Sequence, residues 1–66
     1  MNDNSLVELK KAEQLIASAR KNMSFGDIIQ AYSDLADALY IRRQHYSEDD
    51  YPVKEIIYLL EQCTFM

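Results

Sequence analysis

This 66-residue chain has one glycine, one proline, one cysteine and one histidine, and it has no tryptophan. Cys63 alone cannot form a disulfide within the chain, and with His45 as the one histidine a tetrahedral zinc site cannot close. Gly26 alone cannot build a glycine-rich phosphate-binding loop. The sequence therefore predicts neither a cofactor nor a metal. With no nucleophile beside a base, it also predicts that the protein is not an enzyme.

The short length limits the stability that a core can supply. A chain of this size buries only about 60% of the surface that its unfolded form exposes. At ~0.05–0.15 kcal/mol per residue, the free energy of unfolding should be roughly 3–10 kcal/mol. Without a disulfide or a metal, a partner subunit or self-association is the remaining device that stabilises small folds. We expect one helical domain over residues 1–66.

The charge balance disfavours nucleic acid as a partner. The net charge is −4 and the pI is about 4.7, whereas binding to phosphate backbones relies on clustered lysine and arginine. Residues 1–5 are polar and do not resemble a secretion signal. No apolar run approaches the ~20 residues that a membrane span requires. We therefore expect a cytoplasmic protein that binds no membrane and no small-molecule substrate.

The periodicity of apolar residues predicts three helices, over about residues 6–22, 26–45 and 52–63. Ser5 and Glu8 have the spacing of a capping box at the start of the first helix. Apolar residues then recur every three or four positions, at Leu9, Ala12, Ile16, Ala19 and Met23.

The second helix is predicted to pack closely against the first. Ala31 and Ala38 lie seven residues apart, so they occupy nearly the same side of the helix and let a neighbouring helix approach. Gly26 supplies a permissive turn, with Ser24 or Asp27 as the cap. A broad apolar face is predicted from Phe25, Ile28, Ile29, Tyr32, Leu35, Ala36 and Leu39, and a solvated face from Gln30, Asp34 and Asp37, with Ile41 as the exception on that face.

The third helix is predicted to be short and apolar. Asp50 or Tyr51 would cap it, with Pro52 at its first position. Acidic residues 48–50 would favour the helix dipole, which explains them without a metal. Cys63 lies on its apolar side and is expected to be a buried thiol. The apolar residues of this helix are Val53, Ile56, Ile57, Leu59, Leu60 and Cys63. The predicted fold is all-α: a helical hairpin with a short third helix, forming a three-helix bundle.

Residues 15–39 resemble a tetratricopeptide-type helix-turn-helix, and the related hairpin of microtubule-interacting-and-transport domains looks similar. The matching positions are Gly26, Asp27, Ala31, Leu35, Ala38 and Leu39. The sequence departs from the repeat because Asn22 stands where an aromatic residue is usual, no proline follows Leu39, and one unit is present where arrays need about three. The resemblance implies a groove that accepts a partner helix or peptide, without catalysis.

More apolar positions are present than one three-helix core can hide, and such a surplus is typical of a protein-binding surface. We therefore expect a small regulator, inhibitor or chaperone-type subunit that captures a segment of another protein. The predicted contact residues are Ile41, Arg42, Arg43, Tyr58, Leu59, Phe65 and Met66, with the two arginines steering an acidic rim on the partner.

Two other functions remain open from the sequence. The first is a homodimeric four-helix-bundle regulator, for which RNA is a candidate ligand. The second is an acidic mimic of nucleic acid that inhibits a DNA- or RNA-binding protein. The mimic would use Asp34, Asp37, Glu48, Asp49 and Asp50.

Overall fold

The fold is an all-α three-helix bundle, as predicted. The computed structural model describes the backbone of residues 3–65 and the side chains of residues 4–65. Within that range lie three helices and no strand: α1 (Asp3–Ser24), α2 (Ile28–Arg43) and α3 (Tyr51–Thr64). These bounds fall within three residues of the predicted ones. Helix α2 packs against both α1 and α3, so it is the central element of the bundle.

The turn between α1 and α2 depends on Gly26. This residue has a φ of +84°, a left-handed conformation that favours glycine. Its N–H donates to the Met23 carbonyl at 3.1 Å, and the Asp27 N–H donates to the Asn22 carbonyl at 2.8 Å. These two hydrogen bonds are those of a Schellman motif, which satisfies the last carbonyls of a helix.

Asp27 ends this turn and caps α2. Its side chain accepts a hydrogen bond from the Gln30 N–H at 3.2 Å. Of the two predicted caps, Asp27 is therefore the one used. The hydroxyl of Ser24 instead donates to the Lys21 carbonyl at 3.1 Å.

The predicted capping box at the start of α1 is wrong. Helix α1 already begins at Asp3, so Ser5 lies inside it. The carboxylate of Glu8 instead lies 3.0 Å from Nε2 of His45, just beyond the end of α2. Only the first four N–H groups of a helix lack intrahelical partners, and the Glu8 N–H lies beyond them, so Ser5 has no free N–H there to cap.

Helix α3 begins with Asp50 as its N-cap and with Pro52 in its first turn. The Asp50 carboxylate makes no capping hydrogen bond to α3 and instead accepts from the Ser47 N–H at 2.9 Å. The side chain therefore orders the preceding loop, while the Asp50 carbonyl accepts from the Val53 and Lys54 N–H groups at 3.1 Å.

The core combines small residues from α1 and α2 with branched residues from α3. Ala31 and Ala38 are fully buried, in keeping with their predicted place on the packed side of α2. Ala12 and Ala19 of α1 are also fully buried. The buried apolar residues are Ala12, Ile16, Ala19, Ala31, Leu35, Ala38, Leu39, Val53, Ile56 and Cys63.

The predicted apolar face of α2 is only partly correct. Ile28, Leu35 and Leu39 do pack in the core, but Phe25, Ile29, Tyr32 and Ala36 are exposed. Asp34, predicted to be solvated, is buried. Both errors have one cause: the apolar band of α2 is wider than the arc that α1 and α3 cover, and the actual core arc lies rotated toward Asp34 and Ile41.

Candidate protein-binding surfaces

One exposed apolar surface runs along α3. Tyr51, Tyr58 and Phe65 are 72%, 60% and 85% exposed, and their spacing of seven residues places them on nearly the same side of the helix axis. We call these three residues the α3 stripe. Such rings on one helix face offer a large apolar area with polar handles on the tyrosines, which is typical of binding surfaces.

A groove between α1 and α3 lies beside the α3 stripe. Its volume is about 350 Å³, and its walls are mostly apolar. Leu59 forms part of it while also packing against the core. The groove is lined by Arg20, Tyr51, Lys54, Glu55, Tyr58 and Leu59.

Charged residues flank the α3 stripe in two different states. Glu55 lies on one flank and forms two ion pairs. Its Oε1 accepts from Nη1 of Arg42 at 2.7 Å, and its Oε2 accepts from Nη2 of Arg20 at 3.4 Å. Lys54 and Glu61 lie on the other flank, are exposed, and make no ion pair within residues 4–65. The charge of Glu55 is therefore paired within the protein, whereas Lys54 and Glu61 are free to meet charges on another molecule. We call the side of α3 that carries Lys54 and Glu61 the open flank.

A second exposed apolar surface runs along α2. Ile29, Tyr32, Ala36 and Tyr40 are exposed at spacings of three and four residues, with Ile29 87% and Tyr40 71% exposed. We call these four residues the α2 stripe. Beyond Tyr40, a groove of about 390 Å³ between α1 and α2 is lined by Lys11, Leu15, Asp37, Tyr40 and Ile41.

The structure does not bring the predicted contact residues together on one surface. Tyr58, Leu59 and Phe65 lie along α3, whereas Ile41 is half-buried against the core at the α1–α2 groove. Met66 lies outside the described residues. The exposed sides of α2 and α3 face different directions, so the exposed apolar residues of these two helices form two separate surfaces.

The two predicted steering arginines have internal partners. The side chain of Arg42 is only 12% exposed and donates to the Pro52 carbonyl at 2.8 Å as well as to Glu55. It fixes the start of α3 onto α2, and little of its guanidinium is exposed to solvent. Arg43 is half exposed and binds the Glu48 carboxylate through Nε and Nη2, at 2.8–3.1 Å.

The structural role of Asp34 was not predicted from the sequence. Its side chain is 7% exposed and accepts from Ser18 Oγ at 2.9 Å, Asn22 Nδ2 at 3.1 Å and Gln30 Nε2 at 2.9 Å. Ser18 and Asn22 lie one turn apart on α1, and Gln30 lies one turn before Asp34 on α2. A buried carboxylate satisfied by three neutral donors links the helices of the hairpin. The spacing of Ser18 and Asn22 was the signal that could have indicated it.

Cys63 and His45 are each held within the fold. Burial raises the pKa of the Cys63 thiol above its ordinary value, which disfavours the nucleophilic thiolate. His45 contacts Glu8 at 3.0 Å, in a bond that ties the end of α2 to the start of α1. Residues 4–65 contain no group of three or more potential metal ligands. No helix within residues 3–65 combines the length and the apolar character that crossing a bilayer requires.

Comparison with known protein families, characterised proteins and solved structures gives no match for this sequence. The resemblance to a tetratricopeptide-type hairpin therefore stays a prediction.

Proposed function

We propose that this protein is a non-catalytic interaction module that binds an apolar segment of another protein. The observation that carries the proposal is the pair of exposed stripes on α2 and α3. Monomeric proteins rarely expose contiguous apolar patches beyond a few hundred Å², and larger ones mark interaction sites. A regulator, an inhibitor or a chaperone-type subunit would each use such a surface, in keeping with an expected cytoplasmic location.

The α2 stripe best fits an amphipathic helix as the partner segment. Its residues extend over three turns, and a helix binds such a surface through its own apolar side chains at matching spacings. Ala36 lies in the middle of the stripe between larger residues, so a partner side chain can sit over it. At the far end Arg43, although paired with Glu48, is exposed enough to meet an acidic group on the partner.

The proposed inhibition by nucleic-acid mimicry is less well supported than binding of a protein segment. Asp34 is buried within the hairpin, and Glu48 is paired with Arg43. The Asp50 carboxylate also accepts from the Ser47 N–H, so three of the five acidic residues that the mimic would present are engaged within the protein. A mimic needs rows of free negative charge at phosphate-like spacing.

Site-specific photo-crosslinking in the cells that make the protein tests the α2 stripe. A photoreactive phenylalanine analogue at Ile29 should form a covalent adduct with one defined protein, identified by mass spectrometry. The same analogue at Gln14, an exposed position on the polar side of α1, is the matched control. We expect the adduct at Ile29 to disappear when Tyr32→Asp is added and to persist when Gln14→Asp is added.

Three results would contradict the proposal. Equal adducts at Ile29 and Gln14 would mean that contact is non-specific. An adduct that survives Tyr32→Asp would mean that the α2 stripe is not the binding surface. Loss of the adduct when cell extract is treated with nuclease before irradiation would indicate that nucleic acid mediates the contact.

A further inference from the structure

We propose that the α3 stripe binds a second copy of the same protein, in an antiparallel contact between two α3 helices centred on Tyr58. The inference rests on the proposed function only in taking the α3 stripe as a binding surface, and it names the occupant. A twofold axis through the middle of the stripe makes the surface complementary to itself, as in most homodimers.

The spacing of the aromatic residues fits this symmetry. In an antiparallel pair centred on Tyr58, a residue seven positions before the centre faces one seven positions after it. Tyr51 of one copy therefore faces Phe65 of the other, twice, and the two Tyr58 rings meet at the axis. Aromatic pairs of this kind stabilise interfaces beyond the area that they bury.

The charges on the open flank are complementary in the same arrangement. Lys54 lies four residues before Tyr58 and Glu61 three residues after it, on the same side of the helix. In antiparallel helix pairs equivalent flanks face one another, so Lys54 of each copy lies beside Glu61 of the other. Neither residue has an ion-pair partner within residues 4–65, so both are available.

A parallel pairing uses these charges less well. It would place Lys54 of one copy beside Glu55 of the other, and Glu55 is already bound to Arg42 and Arg20. Glu61 would face Gln62 and gain no cation. The antiparallel arrangement is therefore the one in which both open charges find a partner.

The groove between α1 and α3 gives Phe65 a place in the second copy. Phe65 is 85% exposed in its own protomer. In the antiparallel register its ring reaches the level of Tyr51, where the groove of about 350 Å³ opens between Arg20 and the α3 side chains. An apolar ring inserted in a groove is the kind of contact that carries most of an interface's binding energy.

Light scattering and sedimentation equilibrium on the whole protein test the proposal. We expect a concentration-dependent species with twice the 7.7 kDa mass of one protomer, because a contact made by one helix from each copy is small. Phe65→Ala should weaken the dimer about tenfold or more. A protein that stays monomeric up to millimolar concentration would overturn the inference.

Charge exchange at the open flank tests the direction of the pairing. Lys54→Glu and Glu61→Lys should each weaken the homodimer about tenfold, because each places like charges opposite one another. Mixing the two variants should restore a dimer, since every Lys then meets a Glu. In a parallel dimer mixing would not restore binding, so failure to recover on mixing would overturn the antiparallel contact.

Two controls separate these effects from folding and from net charge. Lys21→Glu and Glu13→Lys make the same charge changes at exposed positions of α1 and should leave the dimer unchanged. Far-UV circular dichroism of each variant should match that of the wild type. Loss of the dimer leaves the crosslink at Ile29 untouched, so failure of this inference is distinguishable from failure of the proposed function.

Discussion

The contact between α1 and α2 and the contact between α2 and α3 are formed by different kinds of residue. In α1 and α2 four of the seven buried apolar residues are alanines, and the polar links between the two are the hydrogen-bonded carboxylate of Asp34 and the contact of His45 with Glu8. Between α2 and α3 the residues that α3 buries are Val53, Ile56 and Cys63, and the specific link is the ion pair of Arg42 with Glu55. One contact depends on close approach, and the other depends on side-chain volume.

Because of this difference, apolar burial stabilises the packing of α3, whereas hydrogen bonds fix the position of α1 relative to α2. Alanines bury little area each and have no long side chain to interlock, so they allow several relative positions of two helices. The two donors that α1 contributes, Ser18 and Asn22, select one of these positions, because a shift of α1 by one turn would remove at least one of them. Branched residues such as Val53 and Ile56 bury more apolar area and also interlock by shape. We therefore expect α3 to respond most to lost volume and the hairpin most to lost hydrogen bonds.

The largest effect should come from removing volume at α3. Ile56 is fully buried, so Ile56→Ala should lower the free energy of unfolding by about 2–5 kcal/mol. That range overlaps the entire expected stability of a protein this small, about 3–10 kcal/mol. Urea unfolding followed by circular dichroism measures the effect. Ile29→Ala, at an exposed position of α2, is the control and should change the free energy by less than about 0.5 kcal/mol.

The next effect should come from the hydrogen bonds of the hairpin. Asp34→Ala leaves the donors of Ser18, Asn22 and Gln30 without their acceptor, and should cost about 1–3 kcal/mol. Asp37→Ala changes the same residue type at an exposed position three residues further along α2 and should be nearly neutral. Thermal unfolding compares the two variants, and equal melting temperatures would show that the buried carboxylate does not hold the hairpin.

A smaller effect is expected from the ion pair that links α2 to α3. Glu55→Gln leaves the largely buried guanidinium of Arg42 without its anion, while its bond to the Pro52 carbonyl remains. We expect a loss of about 1 kcal/mol. Glu48→Gln removes the partner of Arg43, where both side chains are at least half exposed, and should have little effect. A larger loss from Glu48→Gln in urea unfolding would reverse this order.

The smallest effect should be a pH dependence at the end of α3. Burial raises the pKa of the Cys63 thiol, so the folded state holds its proton more tightly than the unfolded state does. The resulting stability is complete at neutral pH and is lost as pH rises above ~8.5, where an exposed thiol ionises, through the raised pKa of the folded state. Between pH 7 and pH 10 the free energy of unfolding should fall more steeply for the wild type than for Cys63→Val. Parallel curves would contradict the assignment.

The helices and the turn could be predicted because their signals are local. Hydrophobic periodicity located all three helices, and Gly26 with Asp27 indicated the turn that the structure contains. The predicted cap at Ser5 failed because a local pattern cannot show whether a helix has already begun. What the sequence could not show was which arc of α2 would be covered, since this depends on where α1 and α3 pack.

The candidate surfaces were only partly accessible from the sequence for the same reason. The exposure of Tyr58 and Phe65 agrees with the expected surplus of apolar residues. The α2 stripe was missed because Ile29 and Tyr32 have the same spacing as core residues. Arg42 was expected to face another protein. Its ion pair with Glu55 was not predicted, because Glu55 lies thirteen residues further along the sequence, beyond the reach of a local pattern.

The backbone conformation at Gly26 favours a D-amino acid over an L-amino acid at that position. A side-chain carbon built on Gly26 would meet no atom within 4 Å, so L-residues are disfavoured at this position by backbone conformation and not by lack of space. Gly26→Ala should cost about 1–2 kcal/mol. D-alanine introduced at this position by chemical synthesis should instead raise the melting temperature, because it prefers the φ of +84° and restricts the unfolded state. The mirror-image amino acid is thus the better fit at this turn.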